Sequence, residues 1–207
     1  MKKSDKKFKY FLKKNQFIYR KLQIIKKFWE SIYLKNFAGS KEEIFKNIYL
    51  KNKWRDKDSF SGTGSNLQQT KNIRIELSKF IRNNNIESIL DIPCGDFYWM
   101  KEFNLDNIKY IGADIVPDLI LKNRNIYSRK NISFEILDIT EDQLPISDII
   151  FCRDCLVHLS FKDILKSLNN IKNGHFKFFI TTNFLDREIN EDIETGSWRT
   201  INFYKSP

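Results

Sequence analysis

Acidic residues stand at the ends of four consecutive apolar runs in the middle of the chain. Asp91, Asp114, Asp138 and Asp154 each close or follow a short run rich in Ile, Leu, Phe or Tyr, which is typical of a buried strand. In an open parallel sheet, ligands bind outside the carboxyl ends of the strands, so these carboxyl groups are expected to meet in one cleft. There they could hydrogen-bond ribose hydroxyls or attract a cationic ligand. The alternative is that these acids only cap turns and helices.

A tight turn follows the first of these runs, in the sequence DIPCGDF. Gly95 lets the backbone approach a ligand closely, and Asp114 follows 19 residues later. A carboxylate at about this interval binds ribose hydroxyls in nucleotide-binding folds. This spacing suits NAD and S-adenosylmethionine equally well.

The other residues of the turn separate these two ligands. A pyrophosphate needs the bare backbone of a G-x-G-x-x-G turn, but Pro93 and Phe97 stand where glycines would be, and Asp96 adds negative charge. The sulfonium and ammonium groups of S-adenosylmethionine would instead be attracted by these acids. The turn therefore favours S-adenosylmethionine.

Strands and helices alternate along the part of the chain that carries these acids. Apolar runs predict strands at 86–92, 109–115, 132–139, 147–152 and 177–182, and helical spacings predict helices at 73–81, 97–103, 117–127 and 162–171. This alternation predicts a Rossmann-like, doubly wound, mostly parallel α/β sheet with helices on both faces.

The segments ILDIPCGDF, YIGADI, FEILDIT and DIIFCRDCLVHLSF, in that order, resemble the class I S-adenosylmethionine-dependent methyltransferases. The resemblance covers residues 60–200. It is strongest to a bacterial subgroup with an SGxGS segment before the core and a GxWRxxN segment after the fifth strand, here 61–65 and 196–202. The SGTGS segment is either a flexible linker or a lid that contacts the cofactor.

The resemblance implies a cofactor site and assigns residues to it. Asp114 would hold the ribose, Asp138 and Ile139 would flank the adenine, and residues 152–155 would line the methionine end. The residues expected to bind the cofactor are Asp91, Pro93, Cys94, Gly95, Asp96, Asp114, Ile115, Asp138, Ile139 and Arg153.

Two residues after the fourth strand could act on the methyl acceptor. Asp154 and His158 are candidate general bases, and Asp154 is the stronger by position. His158 could instead be a hydrogen-bonded residue that fixes the loop. Arg153 and Arg199 could bind an anionic substrate group. The predicted reaction is methyl transfer to an oxygen or nitrogen of a small molecule or a surface-glycan intermediate.

No motif in the sequence requires a metal. Cys152 and Cys155 are spaced as in some zinc sites, but zinc needs about four ligands and the remaining candidates are Cys94 and two histidines. Two small buried thiols are the expected interpretation.

The C-terminal part of the chain keeps other functions open. Methyltransferases of this class add two strands after the fifth, whereas 25 residues follow Thr182, of which 200–204 could supply one strand. A truncated, non-catalytic methyltransferase-like binding protein is therefore an alternative. A second alternative is an NAD-dependent oxidoreductase, which the missing glycines argue against.

The positive charge of the chain is concentrated at its N-terminus. Residues 1–57 hold 18 Lys and Arg against 5 Asp and Glu, a net of +13, whereas residues 58–207 have a net of −3. The sequence therefore predicts a basic helical arm, 1–57, before a methyltransferase-like domain, 58–207. Because the domain that would hold the site is acidic, nucleic acid is not the expected partner.

An apolar stripe at helical spacing runs through this arm. Its members are Phe11, Ile18, Leu22, Ile25, Trp29 and Ile32. Through residues 1–37 such a helix could lie on an anionic membrane, or it could pack on the domain with its lysines in water. With no apolar run of eighteen residues and only three cysteines, the expected location is the cytoplasm, or the inner membrane surface if the arm binds lipid.

Overall fold

The computed structural model of the protein describes residues 39–206, and the predicted arm helix lies outside them. Its α-helices are α1 (Lys41–Leu50), α2 (Lys71–Asn83), α3 (Pro117–Tyr127) and α4 (Phe161–Lys172). Its strands are β1 (Ser88–Asp91), β2 (Lys109–Asp114), β3 (Ile132–Ile136), β4 (Ile149–Cys152) and β5 (Phe178–Thr181). Short 3₁₀ turns lie at Thr63–Ser65, Met100–Glu102 and Leu156–His158.

The five strands form one parallel sheet in the order β3-β2-β1-β4-β5. The strand order reverses at β1, whose neighbours are β2 on one side and β4 on the other. Asp91 at the end of β1 pairs in register with Gly112 and Phe151. The predicted doubly wound parallel sheet is confirmed, and its switch point lies beside the turn that follows Asp91.

Side chains of each strand alternate between two apolar layers, as the period of two requires. Ile89 packs in the layer that contains Leu77 of α2 and Ile120 of α3. Leu90, its neighbour in sequence, packs in the opposite layer with Ile164 of α4. Both faces of the sheet are therefore covered, which explains why its strands are nearly continuous apolar runs.

Local signals fix the ends of several helices. Ser40 and Glu43 form a capping box at the start of α1, which satisfies two free backbone N–H groups. Pro117 occupies the first turn of α3, where its missing N–H costs nothing. The Ser160 side chain accepts a hydrogen bond from the backbone N–H of Asp163 at the start of α4.

Two predicted elements are wrong. Residues 97–103 form turns and the short 3₁₀ helix Met100–Glu102 instead of an α-helix, because Phe97 adopts a left-handed φ of 58° that an α-helix does not accommodate. Residues 200–204 do not form a strand. Within that segment the backbone of Ile201 bonds to Phe184 rather than to the sheet.

Helix α1 packs against the sheet domain although it falls in the predicted arm. Ile48 is buried, and Phe45 and Tyr49 pack against the core. The division into an arm of 1–57 and a domain of 58–207 stays a prediction, but the compact unit already begins at Gly39. Along the described part of the chain, no helix combines the length and apolarity needed to cross a membrane.

Candidate functional site

A cleft opens at the carboxyl ends of the strands, around the switch point. The volume of the cleft is about 1070 Å³, which includes space open to solvent. Most of the residues predicted from the sequence line it: Asp91, Pro93, Cys94, Gly95, Asp114, Ile115, Asp138, Ile139, Arg153, Asp154 and His158. Asp96 and Arg199 do not.

The turn after β1 is held against the end of β2. The backbone N–H of Gly95 donates to Asp114 Oδ2 at 3.2 Å, and the N–H of Val116 donates to Oδ1 at 3.1 Å. Gly95 has a φ of 56°, a left-handed conformation that glycine adopts without strain. The glycine therefore allows the contact that fixes the carboxylate of Asp114 at the edge of the cleft.

Two carboxyl groups of the cleft are unusually basic. Burial raises the pKa of Asp91 to about 7, although the Tyr110 hydroxyl donates to it at 2.5 Å. Burial likewise raises the pKa of Asp114 to about 6, and the backbone N–H groups of Val116, Gly95 and Ile115 oppose this shift. Desolvation disfavours the ionised form of each group. A cationic ligand in the cleft would therefore stabilise the ionised forms of Asp91 and Asp114.

Asp96 has a different place from the one predicted. Its carboxylate accepts hydrogen bonds from the Ser59 and Ser61 hydroxyls and from the backbone N–H of Phe60, at 2.8–3.2 Å. The backbone N–H of Asp96 donates to Ser61 Oγ at 2.9 Å. Instead of facing a ligand, Asp96 holds residues 59–65, here called the lid loop, against the turn after β1.

The lid loop also reaches the loop after β4. Arg153 Nη2 donates to the carbonyl oxygen of Gly64 at 2.9 Å. A Cβ on Gly64 would lie 2.8 Å from Asp154 Oδ2, so the lid loop passes close to the Asp154 side chain. These contacts at both ends favour the lid interpretation of the SGTGS segment over a flexible linker.

Helix α1 and Trp54, which follows it, form a roof over the same cleft. Lys41 Nζ lies 3.2 Å from Asp138 Oδ2 and 2.8 Å from Glu141 Oε1. Phe45, Tyr49 and Trp54 line the cleft. This roof was not predicted from the sequence. The capping-box pattern before α1 indicates that a new helix begins there, separate from the predicted arm helix.

Of the two candidate bases, His158 is the less engaged. Its Nδ1 lies 2.7 Å from the carbonyl oxygen of Ser197, so Nδ1 must carry the proton and Nε2 the lone pair. Burial lowers the pKa of His158, an effect that the Ser197 carbonyl opposes, and the imidazole is neutral at pH 7. Asp154, in contrast, is paired with Arg153 at 3.0 Å and accepts from the Thr182 hydroxyl at 3.0 Å.

Arg199 is buried rather than facing the cleft, with 4% of its surface exposed. It was predicted to bind an anionic substrate group. Its Nη1 donates to the carbonyl oxygen of Leu156 at 3.0 Å, and its Nε donates to that of Glu191 at 3.2 Å. The guanidinium thus binds backbone beneath the turn that carries His158.

The three cysteines are free thiols, and two of them, Cys94 and Cys152, are buried. Within residues 39–206, no group of three or more His, Cys, Asp and Glu side chains is placed to hold a metal ion. That the protein needs no metal stays a prediction.

Comparison with known proteins adds structural likeness only. No family model and no curated protein matches the sequence. Protein PH0226 from Pyrococcus horikoshii is 18% identical, with a TM-score of 0.46, over 56% of this chain and 58% of that one. An S-adenosylmethionine-dependent methyltransferase from Clostridium acetobutylicum is 17% identical, with a TM-score of 0.46, over 54% of this chain and 49% of that one.

Human N-acetylserotonin methyltransferase, solved in complex with S-adenosylmethionine, is 21% identical, with a TM-score of 0.42, over 67% of this chain and 40% of that one. The chain therefore spans about half the length of the solved structures it matches. At these identities the likeness concerns the fold, and function has to be argued from the cleft itself.

Proposed function

We propose that this domain binds S-adenosylmethionine in the cleft and transfers its methyl group to an oxygen or nitrogen of an acceptor. The observation that carries the proposal is the arrangement of Asp91 and Asp114. Two buried carboxyl groups flank a glycine turn at the switch point, where an open α/β sheet binds its ligand.

The backbone of the turn supports a sulfonium ligand over a dinucleotide. Pro93 has no N–H, and the N–H groups of Cys94, Gly95 and Asp96 already donate to Ala113, to Asp114 and to the Ser61 hydroxyl. A pyrophosphate is held by free backbone N–H groups, which these residues do not offer. The charges agree. Among residues 39–206, four Asp residues line the cleft, whereas the Lys and Arg residues that line it are Lys41 and Arg153.

The residues of the cleft fit the parts of this cofactor. Asp114 would accept hydrogen bonds from the ribose hydroxyls, and Asp138 with Ile139 would flank the adenine. Asp91 would attract the ammonium group, and Arg153 would pair with the carboxylate. When bound, S-adenosylmethionine would supply an electrophilic methyl group.

The chain's own contribution to the reaction would be orientation, exclusion of water and removal of a proton. The roof and the lid loop enclose the cleft, which keeps the reacting groups in place and limits water. His158 is neutral at pH 7 and has a lone pair on Nε2, so it could accept a proton from the acceptor, a step that contributes about 10²–10⁴-fold. We assign Asp154 a supporting role, since both its carboxylate oxygens are already engaged.

The acceptor that we propose is a small molecule or a surface-glycan intermediate. The cleft is walled by the aromatic rings of Trp54, Trp99 and Phe60, which can pack against an acceptor of small-molecule size. Because the described domain is not basic overall, we do not propose nucleic acid as the substrate. A cytoplasmic location, and membrane contact through residues 1–37, remain predictions.

Isothermal titration of the full chain with S-adenosylhomocysteine and with NAD tests this function. We expect one molecule of S-adenosylhomocysteine to bind per chain and NAD not to bind. Binding of NAD without S-adenosylhomocysteine would refute the proposal. If S-adenosylhomocysteine binds but labelled methyl groups from S-adenosylmethionine are transferred to none of a panel of sugar, phenol and amine acceptors, the non-catalytic alternative is favoured.

A further inference from the structure

We propose that Arg199 is a positioning residue for His158: it fixes the turn that carries the imidazole and holds the ring as a neutral base. The inference rests on the proposed function only in that His158 would be the base. It concerns the segment 196–202, here called the latch, in which Arg199 was predicted to bind an anionic substrate group.

The latch occupies all three carbonyl groups of the 3₁₀ turn Leu156–His158. Arg199 Nη1 donates to the carbonyl of Leu156 at 3.0 Å, and the backbone N–H of Arg199 donates to the carbonyl of Val157 at 3.0 Å. The N–H of Gly196 donates to the carbonyl of His158 at 2.8 Å. A turn bound at each of its carbonyls has little freedom to rotate, so the Cα of His158 is fixed by the latch.

The latch also fixes the imidazole ring. Nδ1 of His158 lies 2.7 Å from the carbonyl oxygen of Ser197, which selects the tautomer with the lone pair on Nε2. On its other side the ring packs on Trp54, with centroids 4.9 Å apart and planes tilted by 34°. Arg199 lies two residues after Ser197, so the same segment sets the backbone position, the tautomer and the orientation of the ring.

The charge of Arg199 acts on His158 as well. Burial is the main cause that lowers the pKa of His158. The Ser197 carbonyl and then Asp154 raise it, and the guanidinium of Arg199 has the smallest of these effects and lowers it. Asp154 is itself paired with Arg153 at 3.0 Å, and Trp54 on the opposite side of the ring is neutral. The nearby cation therefore favours the unprotonated imidazole that a base requires.

The burial of Arg199 has an electrostatic cost. The side chain is 4% exposed, and its Nη2 has no hydrogen-bond partner among the described residues. Burying an incompletely paired charge costs stability, which the nearby charge of Asp192 and the ring of Phe161, 5.3 Å away, offset in part. A cation at this position, bonded to the turn that carries His158, supports a role beyond packing.

The histidine side chains can be observed directly, because the chain has only two, His158 and His175. Ring ¹⁵N and ¹³C resonances of labelled protein, followed from pH 5 to pH 8, report the pKa and the tautomer of each. A His175→Asn variant assigns the two signals. The experiment uses the ligand-free full chain and needs no acceptor.

Two Arg199 variants separate charge from geometry. Arg199→Met removes both, and we expect the pKa of His158 to rise and the Nε2-protonated tautomer to become populated. Arg199→Lys keeps a cation but not the planar fork, so we expect the pKa to stay lowered while the two tautomers mix. Arg124→Lys is the matched control. Arg124 lies in helix α3, and its Nε also donates to a buried carbonyl, that of Phe134, at 2.7 Å. It should leave the His158 signals unchanged.

Each outcome decides the proposal. If both Arg199 variants fold, as judged by their amide spectra, and show the wild-type pKa and tautomer of His158, the proposal is wrong. A wild-type His158 protonated on Nε2 at pH 7 would also overturn it. If Arg199→Met fails to fold, the tautomer of His158 in Arg199→Lys, compared with that in the control Arg124→Lys, decides the proposal. Failure of the chain to bind S-adenosylhomocysteine would refute the proposed function and leave this result standing.

Discussion

Replacing Asp114 with Asn tests the cofactor assignment at one carboxyl group. The wild-type carboxylate is 7% exposed and is oriented by the N–H groups of Gly95 at 3.2 Å and Val116 at 3.1 Å. The substitution keeps the size of the side chain but removes the charge and one acceptor oxygen. Whatever the carboxylate contributes to ribose binding is lost without leaving a cavity.

The size of the effect follows from the hydrogen bonds that Asp114 would make to ribose. A hydrogen bond to a charged group contributes about 1.5–3 kcal/mol, and two on one carboxylate are not additive, so we expect a loss of about 2–4 kcal/mol. Since about 1.4 kcal/mol is tenfold, affinity should fall roughly 30- to 700-fold. The measurement is isothermal titration with S-adenosylhomocysteine at pH 7.5.

The pH dependence gives the same prediction a second test. With a pKa of about 6, Asp114 is ionised at pH 7.5 and protonated at pH 5, so wild-type affinity should fall by up to about tenfold per pH unit below 6. The Asp114→Asn variant lacks this titration, and the ratio of the two affinities should shrink toward pH 5. Asp91 titrates in both proteins, but burial and, to a smaller extent, the charge of Asp114 raise its pKa, so in the variant Asp91 should titrate at a lower pH than in wild type.

Stability separates loss of binding from loss of folding. A raised carboxyl pKa means that the folded state binds more protons than the unfolded state between about pH 4 and 6, so the ionised Asp114 destabilises the ligand-free fold above that window. Asp114→Asn removes this penalty, but its amide NH2 would face one of the two backbone N–H donors. In urea denaturation at pH 7.5 we therefore expect it to lose no more than about 1–3 kcal/mol of stability, the cost of one unsatisfied buried donor. The control is Asp106→Asn, on an exposed residue 3.8 Å from Arg129. Equal affinity of Asp114→Asn and this control would show that Asp114 does not bind the cofactor.

Other perturbations probe the turn, the thiols and the arm. Gly95→Ala forces a left-handed alanine, at a cost of about 1–2 kcal/mol, and its methyl would overlap Ser61 of the lid loop. Urea denaturation should show a larger loss of stability for Gly95→Ala than for the control Gly174→Ala. An equal loss would contradict the close approach of the lid loop to Gly95. Changing Cys152 and Cys155 together to Ser should leave affinity for S-adenosylhomocysteine within about tenfold, and stoichiometric zinc in the purified wild type would contradict this. Deleting residues 1–37 should abolish salt-sensitive sedimentation with anionic vesicles if the arm binds lipid; if the arm packs on the domain instead, the intact chain sediments little and the deletion lowers its stability.

Local pattern was sufficient to predict the sheet. The apolar runs that became β1 to β5 are short, and the three central strands β1, β2 and β4 are almost wholly buried. Periodicity and length therefore identify them without tertiary information. The helix predicted at 97–103 failed because composition does not reveal that Phe97 takes a left-handed φ of 58°. Its ring instead packs in the core between Tyr110, Tyr127 and Phe134, a contact made across the fold.

The site was predictable where its residues follow a strand directly. Asp91 and Asp114 end β1 and β2, so strand prediction alone places them in the cleft. Asp96 and Arg199 were misplaced because their partners are distant in sequence: the Asp96 carboxylate binds the lid loop more than thirty residues earlier, and the Arg199 guanidinium binds Leu156, 43 residues earlier. A charged residue near a predicted site has no assignable partner until the chain topology is known.

Ionising the two buried carboxyl groups of the cleft, Asp91 and Asp114, costs free energy in the folded protein. Burial raises the pKa of Asp91 to about 7 and that of Asp114 to about 6, and each pKa unit corresponds to about 1.4 kcal/mol of unfavourable ionisation. A ligand with positive charge and hydroxyl donors would recover that energy on binding, whereas a pyrophosphate would add repulsion. The unfavourable ionisation of Asp91 and Asp114 therefore supports the kind of cofactor that we propose. Strongly perturbed pKa values are characteristic of functional sites.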